Sequence, residues 1–368
     1  MMNGVESMRG NFCFNQLVQP IPQNHSIVDT EFYIHKNGLL FHADGYAHPE
    51  DSVLGNPLYL LDINGDKNIF GQPYRKLFSY PGTSEPVPYK DRPQILRSID
   101  PSLDQFDSNP WPFQYEQIIP ISNFIGYISG QTVFEKVGKG LLGDNSEILR
   151  DLDSLQQCLD IDIESIPLSL TGALAFGNIS GYHDLDLVFC GSLSQNRNIA
   201  DKIQQLVISE PNRRLHDGGK GWLVRWFNKN GKIDGAIMCC FFRYGNNKDA
   251  PLKKFEVEIL EPDVQIEASV SDDTHAVYTP TILGLHDVRA ISIQGHSDNL
   301  QLPDNTKLII YHTASRGEFR AGDRVWAHGA YAYVHTPETE YPALLIIERE
   351  AVRNLTPPWS NYYSCDKF

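Results

Sequence analysis

The chain has 368 residues, of which 41% are hydrophobic and 11% aromatic. This composition is typical of a folded globular protein and excludes a disordered chain, and the length predicts two or three domains. The formal charge of −15 at pH 7 argues against general affinity for nucleic acid, because binding to phosphates requires an excess of Lys and Arg.

The sequence predicts a soluble protein of the cytoplasm that does not bind a membrane. Its first 20 residues lack a basic stretch followed by a continuous apolar run, so we expect no signal peptide. The longest uncharged apolar run, residues 236–242, is far too short to cross a membrane. The six cysteines form no C-x-x-C pair, which favours buried thiols in a reducing compartment.

The N-terminal region, residues 1–140, is predicted to be a β-rich domain. Two apolar runs joined by Asn37-Gly38 indicate a hairpin over residues 32–41. Pro and Gly then recur between residues 57 and 120, which predicts several more short strands. The nearby side chains of His42, Asp44 and His48 could bind a metal, but scattered histidines beside a hairpin are more often structural, and we expect that role.

The central region, residues 141–250, is predicted to be a compact α/β domain. Apolar residues at helical spacing predict a helix over residues 146–159, with Ser146 as its cap, and a second helix over 198–208. Four strands complete the predicted domain, at residues 168–170, 185–190, 222–227 and 233–242.

The C-terminal region, residues 251–368, returns to alternating apolar and polar residues. Short strands are expected at residues 255–259, 307–311, 324–328 and 343–347. Short strands between turns suggest a small barrel-like domain. The sequence therefore predicts a multidomain α+β protein.

Two carboxylates stand at the entry of the central predicted strand. Asp184 and Asp186 are two residues apart, so both side chains project from one face, with Cα atoms roughly 6.6 Å apart. Carboxylates at this spacing can share Mg²⁺ ions that also bind phosphates. Acidic residues are also common on surfaces, and for two other Asp-x-Asp pairs, 151/153 and 160/162, we expect only solvent-facing charge.

A turn of small residues distinguishes the pair at 184 and 186 from the other two. Gly172 and Ala173 precede Asp184 by ten intervening residues. A glycine lets a phosphate approach the backbone, and the following helical turn offers free N–H groups.

At these residues the chain resembles the DNA polymerase β-like nucleotidyltransferase superfamily. The signature is a hydrophobic residue, Gly, then Gly or Ser, a spacer, and Asp-hydrophobic-Asp. The resemblance looks closer to a group of mostly archaeal predicted nucleotidyltransferases, which have segments similar to residues 36–49 and 271–280. Two departures stand out: Thr171 occupies a hydrophobic position, and Ala173 lacks the hydroxyl that Ser would offer to phosphate.

The resemblance implies transfer of a nucleoside monophosphate from an NTP, with Mg²⁺ or Mn²⁺ as the cofactor. Asp184 and Asp186 would hold the metal together with a third carboxylate that activates the acceptor. Asp234 is the first candidate for that carboxylate, and Glu256 and Glu258 are weaker alternatives. The acidic chain favours a small-molecule or protein acceptor over a polynucleotide. Loss of the third carboxylate would leave the alternative function, a nucleotide- or RNA-binding protein without catalysis.

Further residues are expected to contact the phosphates. Gly172 and Ala173 would bind them through the backbone, and His183 would lie beside them. Residues 211–254 contain ten Lys or Arg residues against three Asp residues, an excess that suits a polyphosphate or, equally, a solvated surface. From this segment we expect Lys220 and Arg225 to stabilise charge on the leaving pyrophosphate.

Overall fold

A computed structural model describes most of the chain. The described residues are 8, 11–79, 87, 91–103, 116–179, 182–213, 215, 225–228, 236–293, 302–312, 315–347 and 351–357. They form an α+β structure, as predicted, in which strands outnumber helices. The chain divides into two compact units, the first formed by Met1–Gln157 with Asp162–Cys190 and the second by Cys158–Ile161 with Gly191–Phe368.

The first unit contains a seven-stranded sheet. Its strands are β1 (Phe32–His35), β2 (Leu40–Ala43), β3 (Ser52–Leu61), β4 (Lys67–Ile69), β5 (Gln72–Lys76), β6 (Gln117–Pro120) and β7 (Phe124–Ile128). They follow the order β4-β5-β3-β2-β1-β7, with β6 also beside β3. The hairpin predicted over residues 32–41 is confirmed, and Gly38 adopts a φ of 89° in its turn.

The two faces of this sheet have different partners. One face carries an apolar core that includes Tyr33, Phe41 and Val53. On the other face the β1–β2 register places Phe32 opposite His42, and the ring centroid of Phe32 lies 4.6 Å from that of Phe176. A distant segment therefore covers the second face.

Four helices begin in the described part of the first unit: α1 (Phe12–Leu17), α2 (Arg92–Ile99), α3 (Gly130–Gly138) and α4 (Ser146–Leu159). The helix predicted over residues 146–159 is confirmed, but Ser146 is its first residue and not its cap. The three shorter helices lie within residues 1–140, which were predicted to be β-rich and for which no helix was predicted. None of the described helices in the chain is long and apolar enough to cross a membrane.

The second unit begins with a long helix and a strand pair. Helix α5 (Leu193–Ser209) starts five residues before the predicted 198, because Ser192 and Gln195 form a reciprocal capping box at its N-terminus. Strands β10 (Arg225–Phe227) and β11 (Ile237–Phe242) are antiparallel. Each lies within a longer predicted strand, the rest of which is outside the described residues apart from Ala236.

A barrel-like sheet occupies the rest of the second unit. Its strands are β12 (Glu256–His275), β13 (Thr281–Ile293), β14 (Lys307–Ile310), β15 (Arg324–His335), β16 (Glu340–Ile346) and β17 (Val352–Asn354). Strand β12 pairs with both β13 and β15, and β14 and β16 complete a ring of pairings. Apolar side chains such as Val264, Leu308 and Leu344 form the core of this sheet.

Candidate active site

The two aspartates lie at the start of a buried strand in the first unit. Strand β9 (Asp184–Phe189) pairs with β8 (Leu168–Leu170) in an antiparallel arrangement. Leu185 and Leu187 are fully buried, whereas Asp184 and Asp186 are partly exposed. The alternation of the strand thus brings both carboxylates to one face, where an oxygen of each lies within 4.8 Å of the other.

A glycine turn contacts the second carboxylate. Gly172 begins a short 3-10 helix, Gly172–Phe176, with a φ of +60°. A Cβ atom added to Gly172 would lie 2.0 Å from Oδ2 of Asp186. The backbone N–H of Thr171 donates to the carbonyl of Asp186 at 3.1 Å. Glycine is therefore required both by the left-handed backbone and by the neighbouring carboxylate.

The residues around the turn attach it to the N-terminal sheet. The hydroxyl of Thr171 donates to the carbonyl of Thr30 at 3.4 Å, which gives this hydroxyl a structural partner just before β1. Phe176 closes the 3-10 helix, and its ring centroid lies 5.8 Å from that of Tyr59 and 5.9 Å from that of Phe70. These edge-to-face contacts hold the turn in place.

Tyr182, two residues before β9, bonds to a buried carboxylate. The hydroxyl of Tyr182 donates to Asp151 at 2.5 Å, and Asp151 is only 7% exposed. Our expectation of solvent-facing charge at Asp151 is therefore wrong, because the carboxylate points inward to a phenol donor. The three other aspartates of the two comparison pairs, Asp153, Asp160 and Asp162, are exposed as expected.

The other predicted phosphate ligands of the first unit are open to solvent. His183 is 94% exposed, and its Nδ1 atom lies 3.4 Å from Oδ1 of Asp184. Ala173 is also exposed, next to Gly172. Gly172, His183, Asp184 and Asp186 are thus assembled around one turn and one strand end.

The remaining predicted site residues belong to the second unit or lie outside the description. Arg225 is the first residue of β10 and is half-buried. Glu256 and Glu258 are exposed near the start of β12, and the Glu258 carboxylate lies 3.7 Å from Nε2 of His335. Lys220 and Asp234, the first candidate for the third carboxylate, are outside the described residues.

Tyr59 is a neighbour of the site that the sequence did not indicate. It lies on β3, and the register of β2 and β3 places it opposite Leu40. Burial, followed by the nearby charges of Asp186 and Asp66, raises the pKa of Tyr59 to about 12. The phenol is therefore neutral at physiological pH and can donate a hydrogen bond. Only long-range pairing brings it to the site, so no local pattern could have predicted it.

His42, Asp44 and His48 form a separate polar cluster with Asn56 on the N-terminal sheet. Nδ1 of His42 and Nδ2 of Asn56 each lie 2.8 Å from a different oxygen of Asp44. Nδ1 of His48 accepts from the N–H of Leu54, and its Nε2 donates to the carbonyl of Gly45, both at 3.1 Å. These four side chains, which we call the His42 cluster, bond to one another or to the backbone and so fit the expected structural role.

The donor set at Asp184 and Asp186 fits a hard divalent cation. Two oxygens on one Mg²⁺ lie at most about 4.2 Å apart, twice the usual Mg–O distance, so small side-chain rotations would bring this pair onto one ion. A cation would also offset the repulsion between two adjacent negative charges. Comparisons of the chain with protein families, curated proteins and solved structures give no match. The chemistry of the site is therefore inferred from its own residues.

Proposed function

We propose that the protein is a Mg²⁺-dependent nucleotidyltransferase that moves a nucleoside monophosphate from an NTP to a small-molecule or protein acceptor. The observation that carries this proposal is the contact between the Gly172 turn and the Asp186 carboxylate, with Asp184 beside it. This reaction needs a turn whose backbone can bind phosphates and, beside it, a pair of carboxylates that can bind metal ions.

The proposed roles of Asp184 and Asp186 follow from their positions, and those of Asp234, Lys220 and Arg225 from the resemblance to nucleotidyltransferases. Asp184 and Asp186 would hold Mg²⁺ or Mn²⁺, which when bound neutralises phosphate charge and orients the triphosphate. The acceptor oxygen forms a bond to the α-phosphorus. The bond between the α-phosphorus and the oxygen that bridges it to the β-phosphate breaks, and pyrophosphate leaves. Asp234 is proposed to take the proton of the acceptor, and Lys220 and Arg225 to stabilise the leaving pyrophosphate.

The proposal extends to the arrangement of the chain. In it, residues 141–250 are the nucleotidyltransferase-like domain, between a β-rich N-terminal domain and a barrel-like C-terminal domain. The contacts of Thr171 with Thr30, just before β1, and of Phe176 with Phe32 on β1 indicate that the N-terminal region supports the turn directly. We therefore expect activity to require both regions.

A second candidate function is a nucleotide- or RNA-binding protein without catalysis. The observation that favours it is Ala173, whose exposed methyl group replaces the hydroxyl expected beside Gly172. Backbone N–H groups would still bind phosphate, but one contact that could tighten in the transition state is lost. Binding without turnover would identify this alternative.

Pyrophosphate release tests the proposal. The protein is incubated with each of the four labelled NTPs, Mg²⁺ or Mn²⁺, and a panel of hydroxyl-bearing small molecules and proteins. We expect metal-dependent release of pyrophosphate and transfer of label to the acceptor. The double variant Asp184→Asn/Asp186→Asn should lose this activity.

A matched control separates the effect of removing the site from the general effect of removing two negative charges. Asp160→Asn/Asp162→Asn removes the same charges at the same spacing from exposed positions, and it should leave the release of pyrophosphate unchanged. Activity that survives Asp184→Asn/Asp186→Asn would exclude the proposed site. Metal-dependent NTP binding without release in any acceptor mixture would favour the binding-only function.

A further inference from the structure

Tyr59 occupies a defined place next to the proposed metal site. Its ring packs edge-to-face on Phe176, at 5.8 Å between centroids, and Phe176 ends the 3-10 helix that starts at Gly172. Gly172 in turn lies against the carboxylate of Asp186. One short rigid segment thus links the aromatic ring of β3 to the carboxylate of β9.

The hydroxyl of Tyr59 is available to a ligand. Within the described part of the chain it has no hydrogen-bond partner, and the side chain is only partly exposed. The charge of Asp186 acts on it, which places the phenol within electrostatic range of that carboxylate. A neutral phenol with a fixed ring loses little conformational entropy when its hydroxyl donates a hydrogen bond.

The ligand group nearest to this hydroxyl would be a phosphate. A cation held by Asp184 and Asp186 also binds phosphate oxygens, so those oxygens must lie close to Asp186. A hydrogen bond to a charged phosphate oxygen is stronger than one to a neutral group. The more exposed Asp66, which also acts on Tyr59, pairs with Lys67 at 3.1 Å.

We propose that Tyr59 is a substrate-binding residue whose hydroxyl donates a hydrogen bond to a phosphate oxygen of the metal-bound nucleotide. This inference rests on the proposed function, because the phosphate is placed by the Asp184/Asp186 metal site. It adds a residue of the N-terminal sheet to the binding of the triphosphate. The aromatic ring sets the position of the hydroxyl, and the hydroxyl makes the contact.

Calorimetric titration of the full chain tests this role. The probes are Mn²⁺ alone and Mn²⁺ with inorganic tripolyphosphate, which presents the phosphates without a base. Tyr59→Phe keeps the ring against Phe176 and should weaken binding of the Mn²⁺–tripolyphosphate complex about tenfold, the effect of one hydrogen bond to a charged group. Its affinity for Mn²⁺ alone should stay within about twofold of the original protein.

Two further variants separate this inference from the proposed function. Tyr127→Phe removes a hydroxyl that donates to Gln19 at 3.1 Å in the same unit, and it should change neither titration. Asp184→Asn/Asp186→Asn should abolish both. If Mn²⁺ does not bind the original protein, or still binds this double variant, the proposed function fails.

The remaining outcomes decide the role of Tyr59 itself. Equal affinities of Tyr59→Phe and the original protein for both probes would overturn the role while leaving the metal site intact. An equal loss for Mn²⁺ alone and for the complex would also overturn it.

Should Tyr59→Phe not fold, 3-fluorotyrosine at position 59 keeps the hydroxyl. Its ¹⁹F signal must then shift further with Mg²⁺ and tripolyphosphate than with Mg²⁺ alone, and an equal shift would contradict the proposal.

Discussion

Two groups of polar residues in the first unit offer similar ligand chemistry and differ in how it is used. In the His42 cluster, both oxygens of Asp44 and both ring nitrogens of His48 have partners inside the protein. At the Asp184/Asp186 site, two carboxylates approach each other beside a glycine turn and are partly exposed. Ligand type alone therefore does not identify a metal site.

The difference lies in the arrangement of charge. In the His42 cluster a single carboxylate, Asp44, accepts from His42 and Asn56. At the other site two like charges lie within 4.8 Å of each other, and a bound cation would offset their repulsion. Four experiments test this contrast.

The largest effect is expected from removing the two carboxylates. Asp184→Asn/Asp186→Asn should weaken Mn²⁺ binding roughly 1000-fold. Mutation of a residue that only hydrogen-bonds to a metal ligand already lowers metal affinity about 10- to 100-fold, and here both ligands are lost. Asp44→Asn should leave Mn²⁺ affinity within about twofold and lower the free energy of unfolding by about 1–3 kcal/mol, because a partly buried charged hydrogen bond is lost. Calorimetry and urea unfolding measure the two quantities. Equal losses of affinity would remove the contrast.

The next effect is the pH dependence of the His42 cluster. Burial lowers the pKa of His48 to about 4 from 6.5. Because the folded state binds fewer protons than the unfolded one in this range, stability is full above pH 6.5 and falls by about 3 kcal/mol as the pH drops to 4. Urea unfolding between pH 7.5 and pH 4 should show this loss.

His48→Gln isolates that contribution. The variant should be roughly 2 kcal/mol less stable at pH 7.5, because it loses buried hydrogen bonds, and its stability should depend less on pH. Burial and the charges of Asp44 and Asp29 raise the pKa of Glu116. This shift makes stability increase as the pH falls, and it does so equally in the original protein and in His48→Gln. The difference between the two curves therefore reports on His48. Parallel curves would show that His48 does not cause the slope.

A smaller effect on stability is expected from the hydrogen bond between Tyr182, just before Asp184, and Asp151. Tyr182→Phe removes the phenol that donates to buried Asp151 and should lower the free energy of unfolding by about 2 kcal/mol, because the carboxylate then keeps, among the described residues, only the weaker ion pair with Arg150 at 3.7 Å. Asp153→Asn, on an exposed carboxylate of the same helix, should change it by less than about 0.5 kcal/mol. Thermal unfolding compares the two variants. A stable Tyr182→Phe protein would show that Asp151 finds another donor.

The smallest effect is expected at the turn. Gly172→Ala places a methyl group against the Asp186 carboxylate, so we expect Mn²⁺ binding to weaken about tenfold and the free energy of unfolding to fall by about 1–2 kcal/mol. Gly140→Ala has a similar φ of +66° with nothing within 4 Å of the added atom. It should cost about 1 kcal/mol and leave Mn²⁺ binding unchanged. Equal Mn²⁺ affinities would mean that the carboxylate rotates without losing its function.

Sequence patterns predicted the elements that have strong local signals. The helix over residues 146–159 has apolar residues at regular spacing, and the Asn37-Gly38 turn has the residues that a tight hairpin needs. The strand at 168–170 was predicted with its observed bounds. In each case neighbouring residues determine the structure.

Other features depend on contacts between distant residues. Helix α1 has six residues, too few for a periodic pattern, and β13 pairs with β12 through several register shifts that interrupt simple alternation. Buried Asp151 accepts a hydrogen bond from Tyr182, 31 residues away in the sequence. The place of Tyr59 beside Phe176 likewise follows from tertiary packing.

The contacts of Phe176 also have a consequence for synthesis. Phe32 and Tyr59 emerge from the ribosome more than a hundred residues before the aromatic ring that covers them. Until that ring arrives, one face of the N-terminal sheet is an exposed apolar surface that can attract chaperones or other nascent chains. A fragment that ends at residue 140 would keep this surface permanently, whereas one that extends to residue 190 would carry its own cover.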